Sequence, residues 1–239
     1  VTALLPVVIV ACTTLFWWCR MMQGKSSWEV AKSRTIVSAV VVLFLLHISL
    51  TKTALEFFTC TDPLSSGDDN GQQHRFLAAD TRIECFAGSH RTWSMGLGVG
   101  MLVVYALGIP VFAFWVLHSV KDDLSTWQVT YGFLYSAYEP KFWYWEVVVV
   151  LRKVAFAGAA VLMRPAGVDL QANTGVLIVV CSLVLHLLAK PFVNVQLDAL
   201  ESGALFTQFA TLSMGLFLFS PNTSDAGRQQ VCGVVAAAA

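Results

Sequence analysis

Residues 131–164 read YGFLYSAYEPKFWYWEVVVVLRKVAFAGAAVLMR, and this stretch sets the terms for the rest of the chain. It opens as an aromatic ramp of Tyr131, Phe133, Tyr135, Tyr138, Phe142, Trp143, Tyr144 and Trp145. Trp and Tyr gather at the level of lipid head groups because each ring joins an apolar body to a polar edge. Pro140 disfavours helical geometry at Glu139, so a new helix is expected to begin near Lys141. The apolar run that follows is long enough to cross a bilayer. Arg152 and Lys153 lie inside it, Arg152 nine positions after Trp143 and so roughly 14 Å along the helix axis. Cations at that depth are costly and need partners.

The composition points the same way. Apolar residues make up 56% of the chain and charged residues 13%, against about 25% charged in soluble domains, and the formal net charge is zero. The apolar residues fall in separate runs near membrane-spanning length, which predicts a polytopic membrane protein. A neutral balance gives no footprint for nucleic acid. No phosphate loop, zinc-ligand spacing or nucleophile elbow occurs, so no enzyme, cofactor or metal is expected. The chain begins with Val1 inside an apolar run and reads as a piece of a longer polypeptide.

The expected fold is an all-α membrane protein. It is a bundle of about six transmembrane helices with an interfacial amphipathic helix and a disulfide-tied external loop. The spans are placed at residues 2–19, 35–58, 93–120, 142–163, 170–189 and 197–219. Grouped as domains, 1–59 holds the first two spans, 60–92 is an external polar loop and 93–220 is a four-helix core. The interfacial helix is expected near 123–140, and 221–239 is an external tail or the start of a further helix near Val231. Arg20, Lys25, Lys32 and Arg34 follow the first span against a single Glu29, which puts that connector on the cytoplasmic side. Residues 60–92 then lie outside, and Cys60 and Cys85 read as a disulfide in an oxidising compartment, the other reading being two free thiols. Asn222-Thr223-Ser224 is a glycosylation triplet on the same external side. In the third span Gly96 and Gly100 permit close helix packing, as does Gly108, and Pro110 predicts a kink.

Ionisable groups inside the spans are the candidate functional residues. Lys52 and Glu56 stand i,i+4 and can pair on one face. Glu146 and Lys153 share a face two turns apart, while Arg152 points about 100° away, toward Glu201 or a neighbouring subunit. One reading is an ion or proton path; the other, which carries more weight, is structural pairing that fixes helix register. Arginines at every third position would mark a voltage sensor, and only one adjacent pair of cations is present. His47 and His186 read as packed helix residues and not as metal ligands.

The string YGFLYSAYEPKFWYWEVVVVLRK, with Tyr131-Gly132-Phe133-Leu134-Tyr135 and Leu151-Arg152-Lys153, resembles the membrane region of TRP-like, polycystin-like proteins of algae and other protists. Those are large polypeptides with cysteine-rich ectodomains. Cys60 and Cys85 around Phe76-Leu77-Ala78-Ala79-Asp80, and Lys190-Pro191-Phe192, extend the resemblance over residues 35–219. It implies a role in cation conduction, or in association with a channel, at the plasma or ciliary membrane. A selective pore needs a re-entrant helix and filter in a roomy outer loop. The only roomy outer loop here is polar and tied at its ends. The expectation is therefore a non-enzymatic auxiliary or anchoring subunit, with the lipid bilayer and either a TRP/polycystin-type channel or identical subunits as partners. The alternative is a TRP-like channel subunit that forms the pore on oligomerising.

Overall fold

A computed structural model describes residues 5–24, 27–61, 64–65 and 73–219. The architecture is all-α, with helices α1 (Leu5–Met22), α2 (Trp28–Glu56), α3 (Gly88–Val120), α4 (Gln128–Tyr131), α5 (Trp145–Leu162), α6 (Val168–Ala189) and α7 (Val195–Phe219). Three of them, α2, α3 and α6, are long and apolar enough to cross a membrane, and α1 carries a shorter apolar run. The chain divides into two compact units, residues 1–157 and 158–239.

In the first unit α1 lies alongside α2. Trp17 closes this hairpin: the Arg34 guanidinium stands 5.1 Å from its ring centre and that of Arg20 5.9 Å. The helix α2 begins at Trp28, earlier than the expected residue 35, so Lys32 and Arg34 belong to its first turns. Its inner face buries Leu50 and Ala54, and on α3 Ala113 and Leu117 join Leu134, Tyr135 and Val147 in a common core. Helix α3 starts at Gly88, which shortens the external segment relative to the expected 60–92. It is wound as π-helix over Ser94–Gly98 and again over Leu102–Gly108. The second stretch ends just before Pro110, where a kink was expected.

Between α2 and α3, Cys60 and Cys85 form a disulfide. Around it β3 (Phe76–Leu77) pairs antiparallel with β4 (Asp80–Glu84), Cys60 bridges to Leu77, and a second pair joins β1 (Leu64–Ser65) to β2 (Gln73–His74). The segment is a small knot of hairpins at the end of the helices.

The amphipathic helix expected near 123–140 is not formed. Only α4 is α-helical there, followed by 3-10 turns at Gly132–Leu134 and Pro140–Phe142. The Tyr135 hydroxyl donates to the Leu124 carbonyl, and a helix would hold residues eleven apart at roughly 16 Å. The backbone leaves helical geometry at Tyr131 (φ -120°) and again at Tyr135 (φ -137°). Ser33 and Thr130 hydroxyls, 3.2 Å apart, fasten α4 to α2.

In the second unit a turn at Arg164–Ala166 leads through Gly167, whose φ of 101° only glycine adopts readily, into α6. Helix α6 stops at Lys190, which takes the left-handed conformation (φ 46°), and Pro191 behind it is buried. The helix α7 then lies alongside α6.

Candidate functional site

The polar groups buried among the helices of the first unit centre on His47 of α2. Its side chain is almost fully buried, as is Thr51 one turn later on the same face. The backbone carbonyls of Ala106 and Tyr105, in the π-helical stretch of α3, lie beside the imidazole. Those carbonyls are available because of Pro110. It has no N–H, and the donor at position 110 would serve Ala106 in an α-helix or Tyr105 in a π-helix. Among the described residues Nε2 of His47, Oγ1 of Thr51 and Nε2 of His90 are buried without a hydrogen-bond partner, each at a cost of about 1–3 kcal/mol. Lys153 on α5 is near enough for its charge to act on the ring. The arrangement packs His47 of α2 against the π-helical stretch of α3.

Gly108 belongs to this feature. A Cβ there would stand 3.2 Å from the Val103 carbonyl of its own helix, so glycine permits the wide π turn. Gly96 and Gly100, expected to pack helices, face open space on the exposed side of α3 among the described residues. The close approach falls at Gly98, where a Cβ would meet the Phe58 ring at 3.1 Å and Phe57 Cβ at 3.2 Å. Gly98 stands between Gly96 and Gly100 in an alternating Gly-Leu-Gly-Val-Gly stretch, which gave it no distinguishing signal.

The remaining charged candidates fall into separate places. Lys52 Nζ and Glu56 Oε1 are 4.0 Å apart with exposed side chains, so the pair contributes little where water reaches it. Glu146, at the start of α5, accepts a 2.7 Å hydrogen bond from the Tyr138 hydroxyl, a partner that helical spacing could not reveal across the Pro140 turn. Arg152 is half-buried and Lys153 exposed on α5, and Glu201 is half-buried on α7 in the other unit. Asn222 lies outside the described residues.

Within the second unit His186 is buried, with Nε2 3.5 Å from Asp198 Oδ1 and 3.3 Å from the Asp198 carbonyl. Asp198 Oδ1 also accepts from the Phe192 N–H at 3.4 Å, and the Phe192 ring stands 5.9 Å from the imidazole. Asp198 thus joins the end of α6 to the start of α7 across the Lys190-Pro191 turn. Among the described residues no three His, Cys, Asp or Glu side chains converge as metal ligands.

Outside the helices Arg82 donates to both carboxylate oxygens of Asp80 at 3.0 Å, and these bonds hold the Asp80 carboxyl below its ordinary range. Burial, helped by the charge of Asp123, pushes the Tyr135 phenol up.

The class this defines is an all-α protein with candidate membrane spans and a disulfide of the kind an extracellular segment carries. No family model matches the chain, and no solved structure matches it. Cysteine repeat modular protein A of Toxoplasma gondii is 30% identical over 187 residues, or 72% of this chain. The chain spans 6% of that protein's length.

Proposed function

We propose that this chain is the membrane-embedded module of a larger modular polypeptide. It is non-enzymatic, holds a cysteine-rich ectodomain at a plasma or ciliary membrane and associates with a TRP- or polycystin-type cation channel. In this reading α1, α5 and α7 cross the bilayer with α2, α3 and α6, making six spans. The Trp17–Arg34 end of the first hairpin and the segment 121–144 face the cytoplasm, and the disulfide-tied hairpins face outward. The name of the Toxoplasma relative, and the small share of it that this chain spans, support the modular ectodomain.

The observation that carries the non-conducting role is the shortness of the joints among the last three helices. They comprise residues 163–167 and 190–194. A pore helix and filter require a few tens of residues facing the outside, and neither joint has room for them. The disulfide-tied segment is polar and built of hairpins, with no apolar run to re-enter the bilayer. The open face of α3 at Gly96 and Gly100 favours a second reading, in which identical copies pack and form a pore between them.

Copy number separates the two. Mass measurement of the assembly extracted in mild detergent is expected to give one copy of this chain beside an unlike channel subunit. A closed ring of identical copies with α7 at its axis contradicts the proposal and favours the second reading.

A further inference from the structure

A cavity of about 220 Å³ lies in the segment between α3 and α5. Its lining includes Tyr135, Tyr138, Trp143, Glu139 and Gln128. A single water needs only about 10–15 Å³ by the same measure, so the space suits a small organic group. Both tyrosine hydroxyls are engaged elsewhere, on the Leu124 carbonyl and on Glu146, so the tyrosines offer the cavity mainly ring surface. Aromatic faces are electron-rich and attract a cation, most strongly one with a greasy, weakly hydrated surface. Glu139 adds a negative charge; Lys141 engages its Oε2 at 2.7 Å, and among the described residues no Lys or Arg lines the cavity. Ser125, Gln128 and Ser136 add polar groups to the wall, and a bare metal ion would find one acidic side chain there, short of the oxygen cage it takes.

We propose that this cavity is a binding site for the quaternary ammonium head group of a choline lipid. The three rings form the cage and Glu139 balances the charge. The source is a membrane lipid because the cavity lies in the aromatic ramp that meets the inner head-group layer. In that respect the proposal rests on the membrane placement given above.

The test uses the full chain in mild detergent, exposed to equal amounts of phosphatidylcholine and phosphatidylglycerol with matched acyl chains, with retained lipids counted by native mass spectrometry. Phosphatidylcholine is expected to be retained in about fivefold preference. The preference is expected to vanish in Glu139→Gln, to survive in Glu139→Asp, and to resist free choline at the lipid's concentration. Equal retention of the two lipids, an undiminished preference in Glu139→Gln, or displacement by free choline overturns the proposal. Flotation with vesicles of phosphatidylcholine and phosphatidylglycerol tests the placement separately. A chain that floats yet shows no head-group preference refutes the site alone, and one that does not float refutes the membrane placement and the site with it.

Discussion

At the residue scale, small differences in position decide which groups matter. Gly98, and not Gly96, stands against another element, so a side chain is excluded at one and free at the other. Gly98→Val is expected to destabilise the fold by about 1–3 kcal/mol through overpacking against Phe57 and Phe58. Gly96→Val on the open face is expected to cost about 1 kcal/mol or less. Denaturant titration in micelles, followed by circular dichroism, measures both; equal losses contradict the assignment. Tyr135 offers a pH test. Its phenol is raised by burial and its neutral form donates to Leu124. A raised acid contributes stability that is complete below the unfolded tyrosine value of about 10 and is lost as pH rises through the folded one. The phenolate absorbance of the native chain is expected to include a late-titrating component that disappears in Tyr135→Phe. A titration curve unchanged in shape by that substitution contradicts it.

At the element scale, the most informative feature is the coupling of α2 to the π-helical part of α3. Pro110 removes a donor, and the His47 imidazole lies beside the Ala106 and Tyr105 carbonyls that this leaves without one. Replacing Pro110 by Ala restores an N–H to the helix itself and makes the imidazole redundant. His47→Leu is therefore expected to cost less in the Pro110→Ala background than alone. The double-mutant cycle should give a coupling of about 0.5–3 kcal/mol. Additivity within about 0.5 kcal/mol contradicts the coupling. Much of this scale was legible in the sequence. Long apolar runs located α2, α3 and α6, and the spacing of Cys60 and Cys85 in the one long polar segment suggested their bond. What was not legible depends on contacts distant in sequence. The shift of α2 to Trp28 reflects Trp28 stacking edge-on against Trp18, and the broken segment before α5 reflects a tyrosine reaching back to Leu124. His47 read as a packed residue because periodicity reports burial and cannot report which carbonyl a ring will meet. Asp198 was missed for the same reason. Its role appears only once the turn at Lys190-Pro191 brings α7 beside His186.

At the scale of the whole molecule, the balance of apolar surface decides the solvent. Exposed Leu, Val, Phe and Trp side chains cover α1, α3 and α6, including Leu188 at 80% and Trp115 at 65%. A water-soluble fold does not leave faces of that extent uncovered, and α3 and α6 are among the candidate membrane spans. Of the buried polar groups, Thr59 and Ser94 donate to carbonyls one turn back, His90 accepts from the Phe86 N–H, and His186 joins α6 to α7. In the proposed reading, the short joints after α5 and α6 suit an anchoring and associating module and leave no room for a selective filter. The most direct test is cation flux through the purified full chain reconstituted alone in planar bilayers. The expected result is no selective single-channel current at any voltage, with the chain confirmed as inserted. Discrete, cation-selective openings from this chain alone would contradict the account.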